Sequence, residues 1–342
     1  MKILVIRTDR IGDLIVSTPV FKAIKDRYPD AYIAVMVSPY TADLLTHNPF
    51  VDEIIICDRK GEHGGIKGLL KLTGEVRRKK FDVAITLHSR MHLGFITFFG
   101  GIAKRIAPAT KLAQIFYNYR VTQRRSRSIK HEADYNLELL APLGINVTDK
   151  EVGLWTDETH DADALAYLLK EGLTDAAEKK LVIGIHPGSG DSAKNWRPER
   201  YAELADKLAS NGFSIVLSGG YGEMELLEEV KKYMNTKPHI YLSGTLLNFA
   251  ALLKRLSVFV SSSTGPMHMA AALKTPTVAL FCPVRVCTPV RWGPIGNRQE
   301  VFLPEVPQCE KCTRSACEYY ECMNMIGTKT VADAVMKLAR PE

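Results

Sequence analysis

The chain has 342 residues, of which 46% are hydrophobic and 24% charged, and its formal net charge is +7. This length and composition are typical of a soluble globular protein with room for two domains. No apolar run reaches the roughly 18 residues of a membrane span. The apolar start of the chain runs directly into Arg7, Asp9 and Arg10, so we expect no signal peptide. We therefore expect a cytoplasmic protein.

Strand and helix patterns alternate along the first half. Apolar runs predict strands at 2–6, 32–37, 53–57 and 82–87. Segments between them predict helices at 13–27, 39–46 and 66–79. The strands are continuous apolar runs and do not alternate with polar residues. Such runs are typical of parallel sheets covered on both faces by helices.

The second half repeats this alternation. Strands are predicted at 181–186, 214–217, 239–242, 258–261 and 277–281, and helices at 197–211, 221–233, 246–256 and 265–273. We expect an α/β protein with two doubly wound, Rossmann-like domains, at 1–160 and 161–327, with the linker near 150–178. A last helix, at 330–340 within 328–342, is a candidate for packing back on the first domain. Ligands of such domains bind at the carboxyl ends of the strands.

The most informative junction is the segment 263–268, whose sequence is STGPMH and which follows a predicted strand. Thr264 and Gly265 stand at the start of a helix, where free N–H groups and the helix dipole favour a diphosphate. His268 lies one turn after Thr264, so both can face the ligand. A histidine satisfied within the core is the alternative interpretation of His268.

Asp13 stands at the matching junction after the first strand, within the sequence RTDRIGD at 7–13. As a general base it would accept a proton from an attacking hydroxyl. We expect the helix start to depress its pKa and keep it ionised. Capping of the helix is the alternative role.

Glycine and serine also follow other strands of the second half. Ser189 lies in HPGS at 186–189, Lys194 follows it, and SGG at 218–220 and SGT at 243–245 end the next two strands. Turn N–H groups and a lysine suit phosphate oxygens. Glu223 is placed to accept ribose hydroxyls. The alternatives are an ordinary turn with a surface lysine and, for Glu223, a partner of the helix dipole.

Basic residues are concentrated in two segments. The run at 77–80 is interpreted as a solvated helix end. The segment 120–130 contains no acid and predicts an anionic partner, or else a solvated loop. Its basic residues are Arg120, Arg124, Arg125, Arg127 and Lys130.

Four of the seven cysteines have the spacing C-x2-C-x4-C-x4-C: Cys309, Cys312, Cys317 and Cys322. The spacing is compact enough for one metal ion, but it matches no common zinc pattern. Metal binding, reduced structural thiols and redox or disulfide chemistry all remain open.

Taken in order, these motifs resemble the ADP-heptose:lipopolysaccharide heptosyltransferase family, glycosyltransferase family 9. The elements that carry the resemblance are RIGD at 10–13, STP at 17–19, HPGS at 186–189, K-x-W at 194–196, LSGG at 217–220 and STGPMH at 263–268. They span nearly the whole chain. One departure concerns Ser263, where some heptosyltransferases have an aspartate.

The resemblance implies a GT-B fold and an inverting transfer of heptose from ADP-heptose, without a metal or other cofactor. Asp13 would be the base. Ser189, Lys194, Thr264, Gly265 and His268 would hold the diphosphate and sugar, and Glu223 the nucleoside.

For the acceptor, the resemblance implies a lipid-linked anionic saccharide of the lipopolysaccharide core. Arg120, Arg124, Arg125 and Arg127 would bind it. The protein would be a monomer associated peripherally with the inner membrane. Alternatives are another nucleotide-sugar donor, a sugar epimerase and a non-catalytic two-domain binding protein. A nucleic-acid partner is disfavoured, because no aromatic residues interleave the basic loop.

Overall fold

The computed structural model of the protein describes residues 1–110, 112–190, 194–242, 244–296 and 298–340, except for the side chain of Arg314. The chain divides into two compact units. The first is Met1–Arg125 with Lys130–Gly153, and the second is Ser126–Ile129 with Leu154–Glu342. Among the described helices, none is both long and apolar enough to cross a membrane.

The first unit is built on a parallel sheet. Its strands are β1 (Lys2–Ile6), β2 (Tyr32–Val37), β3 (Glu53–Ile56), β4 (Val83–Thr86), β5 (Lys104–Pro108) and β6 (Tyr119–Val121). Their order is β3-β2-β1-β4-β5-β6. The helices are α1 (Ile11–Ile15), α2 (Thr18–Arg27), α3 (Gly65–Lys79), α4 (Met91–Phe99) and α5 (Glu132–Glu138), with a 3-10 helix at Pro39–Leu45.

The central strand β1 shows why this sheet forms. Leu4 pairs in register with Ala34 on β2 and Ala84 on β4, and Ile3 and Leu4 point to opposite faces yet are both fully buried. Apolar residues at successive positions are stable only when helices cover both faces. The predicted α/β architecture is confirmed.

One predicted helix is two. We expected a single helix at 13–27, but α1 ends at Ile15 and α2 begins at Thr18. Pro19 stands in the first turn of α2, where its missing N–H costs nothing, whereas inside a continuous helix it would remove a hydrogen bond. The break shortens α1 to a little more than one turn, which contains Asp13.

The second unit has a sheet of the same kind. Its strands are β7 (Val182–His186), β8 (Ser214–Gly219), β9 (His239–Leu242), β10 (Val258–Ser262), β11 (Thr277–Leu280) and β12 (Gln299–Phe302), in the order β12-β11-β10-β7-β8-β9. Its helices are α6 (Glu158–Lys170), α7 (Thr174–Glu178), α8 (Pro198–Ser210), α9 (Met224–Tyr233), α10 (Leu246–Leu253), α11 (Gly265–Ala272), α12 (Pro289–Trp292) and α13 (Thr328–Ala339).

The end of the chain differs from the expectation. The helix expected to be able to pack back on the first domain, α13, packs on α8 and on β10 and β11 of the second unit. Val331, Val335 and Leu338 on its apolar face are part of the second core. The division between the units falls after Gly153, earlier than residue 160, because α6 packs on α10 within the second unit.

Candidate functional site

Each sheet has a topological switch point. The strand order reverses between β1 and β4 in the first unit, and between β7 and β10 in the second. At such a point the connecting loops diverge and leave a crevice at the carboxyl ends of the strands. The predicted residues fall at these points: Asp13 follows β1, Ser189 follows β7, and Thr264 follows β10.

Arg7, the residue after β1, organises the first site. Its side chain is only 2% exposed, and its guanidinium pairs with the carboxylates of Asp9 (Nε to Oδ1, 2.7 Å) and Asp13. Asp13 lies in the first turn of α1, whose N-cap residue is Arg10, so Asp13 is not the capping residue. Its side chain keeps 17% exposure. The carboxylate is therefore fixed by Arg7 but still reachable.

Helix α5 completes the surroundings of Arg7. Arg7 Nη1 lies 3.4 Å from Glu132 Oε1 and 3.2 Å from Asn136 Oδ1, and both partners are buried. Asn136 also donates to Ser17 Oγ at 3.1 Å, which ties α5 to the loop between α1 and α2. Sequence reasoning missed Arg7, Glu132 and Asn136. A charged residue directly after a buried strand was the available signal, because it requires a buried partner.

The pKa of Asp13 is raised, and our expectation that the helix start depresses it was wrong. Burial is the largest cause, and the neighbouring carboxylates of Asp9 and Glu132 add to it, while Arg7 opposes them. A carboxylate with a raised pKa is the better proton acceptor.

Asp9 differs from Asp13 in this respect. Burial alone would raise its pKa, but Arg7 and His88 lower it to about 2. His88 Nδ1 lies 2.8 Å from Asp9 Oδ2, and the Tyr40 hydroxyl donates to the Asp9 carbonyl at 2.8 Å. Burial and then the charges of Asp9 and Asp13 raise the pKa of Tyr40 to about 12. Asp9 therefore stays ionised, and Asp13 is the carboxylate suited to take a proton.

In the second unit, the loop after β7 packs on Glu223. His186 Nε2 lies 3.7 Å from Glu223 Oε2, and the N–H of Gly220 donates to the same oxygen at 2.9 Å. A Cβ at Gly188 would overlap the Glu223 carboxylate, so only glycine allows this approach. Burial lowers the pKa of His186, against the opposing charge of Glu223. The Gly220 N–H thus holds the Glu223 carboxylate at the end of β8, with the neutral His186 ring beside it.

The junction after β10 is the predicted helix start. Thr264 is the N-cap residue of α11, is 7% exposed, and makes no capping hydrogen bond with its side chain. Its hydroxyl lies 3.1 Å from Ser261 Oγ. Ser262 Oγ donates to the Gly188 carbonyl at 3.4 Å, which brings this junction to the loop after β7. The backbone of α11 at Gly265 is left to bind another acceptor.

His268 and Lys194 lie in different surroundings. His268 is 4% exposed, and its ring meets that of Trp292 edge-on at 6.2 Å. Lys194 is exposed and lines a cavity of about 240 Å³ with the cysteine-rich segment near the end of the chain. Its backbone N–H donates to the sulfur of Cys282. Residues 191–193 and Ser243 of the predicted loops lie outside the described residues.

The basic segment is less uniform than expected. Acidic residues of α5 neutralise part of it, since Arg125 pairs with Glu132 and Lys130 Nζ lies 2.5 Å from Glu138 Oε1. Arg125 also lies over the ring of Tyr135, 5.6 Å from its centre. The exposed members are Arg120, Arg124 and Arg127. Arg125 is thus a structural residue, and the other three arginines can meet a ligand.

The chain is similar to known glycosyltransferases. The model of a family described as glycosyltransferase family 9 (heptosyltransferase) matches residues 69–322. A putative glycosyltransferase of Haemophilus influenzae is 36% identical over 303 residues, which are 86% of each chain. Lipopolysaccharide heptosyltransferase 2 of Escherichia coli K12 is 30% identical over 295 residues, which are 83% of each chain.

Solved structures give the same result for the fold. The glycosyl transferase family 9 protein of Veillonella parvula superposes with a TM-score of 0.86 at 25% identity, covering 99% of this chain and 97% of that one. The ADP-heptose lps heptosyltransferase II of E. coli gives 0.80 at 23% identity, covering 99% and 98%. The two doubly wound units are thus those of a GT-B fold.

Proposed function

Because the chain belongs to glycosyltransferase family 9, the heptosyltransferase family, we propose that it moves heptose from ADP-heptose to a hydroxyl of the lipopolysaccharide inner core, with inversion. Membership of the family makes the chain a heptosyltransferase-type glycosyltransferase of lipopolysaccharide core synthesis. The proposal goes further by specifying ADP-heptose as the donor, inversion at the anomeric carbon and the general base.

Asp13 acts as the general base. The acceptor hydroxyl gives its proton to the Asp13 carboxylate while its oxygen bonds to the anomeric carbon of the heptose. The bond from that carbon to the diphosphate breaks, and ADP leaves with the electron pair. Attack opposite to the leaving group inverts the configuration. The observation that carries this role is the buried Arg7 pair, which fixes a carboxylate of raised pKa at the switch point.

The donor binds at the carboxyl ends of the second sheet. The backbone at Thr264 and Gly265 and the hydroxyl of Ser189 bind the diphosphate, with Lys194 and His268 beside it. Glu223 accepts the ribose hydroxyls, and its fixed place against Gly188 supports this. No divalent ion is needed in this arrangement, since backbone N–H groups and a lysine neutralise the leaving diphosphate.

The acceptor is a lipid-linked anionic saccharide. Arg120, Arg124 and Arg127 are exposed and bind its phosphates or carboxylates, since the planar guanidinium pairs with both anions bidentately. The same charges draw a monomeric enzyme to an anionic membrane surface, where the lipid portion of the acceptor resides.

The donor is tested by thermal unfolding of the protein with ADP-heptose, ADP-glucose and UDP-, GDP- and CMP-sugars. At a hundredfold excess over Kd, a true donor adds about 2.7 kcal/mol to the free energy of unfolding. We expect ADP-heptose to raise Tm most and to be the only one consumed with a heptose-accepting core lipid. Stronger stabilisation and transfer with another sugar would replace the donor, and hydrolysis or epimerisation without acceptor would overturn the transferase mechanism.

A further inference from the structure

Six of the seven cysteines lie in the second unit, and four of them lie in the segment 303–327 between β12 and α13. Within the described residues this segment contains no strand and no α-helix, only 3-10 turns at Arg314–Ala316 and Cys322–Met325. Segments of this length without regular structure are uncommon in compact domains unless function or a cross-link orders them.

The segment is anchored at both ends. Near its start, Cys309 pairs with the chain after β11: its N–H donates to the Pro283 carbonyl at 3.0 Å, and its carbonyl accepts from the N–H of Arg285 at 2.8 Å. Near its end, Trp196 Nε1 donates to the Met323 carbonyl at 2.8 Å. These anchors bring the first and last cysteines of the segment to one corner of the unit.

Apolar packing does not account for the middle of the segment. Its buried apolar residues, Met323 and Ile326, are near its end, while Tyr319 and Tyr320 are exposed. The segment is instead rich in cysteine thiols. Four of them line the same cavity of about 240 Å³: Cys309, Cys312, Cys317 and Cys322.

The distances between the cysteine sulfurs limit which group could cross-link them. All seven thiols are unbridged, so the described residues contain no disulfide. No three of the described cysteine sulfurs lie within 4.8 Å of one another. Tetrahedral zinc with bonds of about 2.3 Å needs sulfurs about 3.8 Å apart. A single ion would therefore require these sulfurs to move closer together, whereas in a 4Fe–4S cluster each cysteine binds a different iron atom.

We propose that Cys309, Cys312, Cys317 and Cys322 bind a thiolate-ligated metal centre, an iron–sulfur cluster or a single thiophilic ion, that orders the segment 303–327. In either case four thiolates are the shared ligand chemistry, and metal binding supplies the cross-link that the missing core does not.

The centre also borders the donor side of the unit. Lys194 and Asn195 line the same cavity as the four thiols, and the Cys282 sulfur accepts the backbone N–H of Lys194. Trp196, two residues after Lys194, donates to the Met323 carbonyl of the segment, so an ordered segment fixes the backbone that carries Lys194. This second consequence rests on the proposed role of Lys194 in donor binding, whereas the metal centre itself does not.

The test begins with the full chain purified without oxygen, in which zinc, iron and acid-labile sulfide are measured per chain. Iron with sulfide identifies a cluster, and zinc or iron without sulfide identifies a single ion; each at about one centre per chain supports the proposal. Metal far below that level in protein grown with both metals would overturn it. So would fewer than seven titratable thiols in the metal-free unfolded chain, since disulfides would then occupy the cysteines.

Two substitutions sharpen the test. Cys312→Ser changes an exposed residue, and Cys317→Ser a half-buried one, so the fold should survive both. We expect each to lose the metal and to expose the segment 303–327 to proteolysis. Cys57→Ala, in the core of the first unit, is the matched control and should keep the metal. Metal retained by both serine variants would overturn the assignment of ligands.

Donor affinity distinguishes the metal centre itself from its proposed effect on Lys194. If Lys194 is positioned by the centre, the metal-free variants should raise the KM for the donor and leave the acceptor KM unchanged. An unchanged donor KM in a variant that has lost its metal would overturn the link to Lys194. Absence of any transfer by the metal-loaded wild type would instead overturn the proposed function, since metal content is measured independently.

Discussion

The buried guanidinium of Arg7 pairs with the carboxylate of Asp13 across the first turn after β1. The pair is not isolated, because Oε1 of Glu132 on α5 lies 3.4 Å from Nη1 of the same guanidinium, and Glu132 is 1% exposed. With Asp9, three acids thus share one cation, and the charges of Asp9 and Glu132 both act on Asp13. A change at Glu132, which is buried on α5, should therefore alter the pKa of Asp13 without removing a contact to the substrate.

Glu132→Gln should move the pH dependence of transfer. Glu132 raises the pKa of Asp13, so removing its charge lowers that pKa, and the base stays deprotonated to lower pH. We expect the acidic limb of the kcat/KM profile to shift to lower pH. Glutamine has the size of glutamate and still accepts from Arg7. Glu138→Gln on the same helix is the control, and its limb should not move. A shift to higher pH for Glu132→Gln would contradict the assignment of Asp13 as the titrating group.

Gly188→Ala should weaken donor binding. The added Cβ would overlap the Glu223 carboxylate and displace it from the end of β8. We expect the donor KM to rise, with little change in the acceptor KM. Gly222→Ala is a matched control in the neighbouring 3-10 turn, since a Cβ there meets nothing within 4 Å. Equal donor KM values for the two variants would remove Glu223 from the donor site.

Substitution of the exposed arginines should impair acceptor binding, whereas substitution of Arg125 should impair stability. Replacing Arg120, Arg124 and Arg127 by Ser should raise the acceptor KM and reduce binding to anionic vesicles, while Tm stays nearly the same. Arg125→Ser should lower Tm instead, because it leaves the buried Glu132 with one cation fewer. Steady-state kinetics, vesicle sedimentation and thermal unfolding measure these effects. If the triple variant keeps both its acceptor KM and its vesicle binding, the acceptor site lies elsewhere.

Chelation should leave transfer intact. Backbone N–H groups at α11 and the Lys194 charge take the place of a divalent ion at the diphosphate, so excess EDTA in a brief assay should not change the rate. The proposed thiolate centre does not interfere with this test, since metal content is measured in the same sample. Loss of activity with the thiolate metal still bound, restored by magnesium or manganese, would show that an ion bridges the diphosphate.

The sequence predicted the parts of the fold that depend on local pattern. Buried central strands such as β1 and β2 are continuous apolar runs, and their predicted bounds are confirmed. The edge strands β3 and β9 were predicted, but three other strands were missed. The inner strand β5 begins with Lys104 and Arg105, β6 is three residues long and mostly exposed, and β12 contains Gln299 and Glu300. Helix α4 was missed because its sequence, MHLGFITFF, is apolar on both its buried and its exposed sides and so has no amphipathic pattern.

The candidate site was predictable only where the residues involved lie together in one turn between a strand and a helix. The turns after β1, β7 and β10 could be recognised from Gly12, Gly188 and Gly265 and their neighbours. The partners of Arg7 could not, because Glu132 is 125 positions away and α5 was not predicted. The pKa of Asp13 was therefore assigned the wrong direction: its burial and its two acidic neighbours are properties of the folded unit.

The most direct test of the central claim is a single-turnover measurement on Asp13→Asn with ADP-heptose and a core-lipid acceptor. Asparagine keeps the size of the side chain and can still accept from Arg7, but it cannot take a proton. We predict that donor affinity, measured by calorimetry, stays within experimental error, while the transfer rate falls roughly 10²–10⁴-fold. A folded Asp13→Asn variant that transfers heptose at the wild-type rate would contradict Asp13 as the general base.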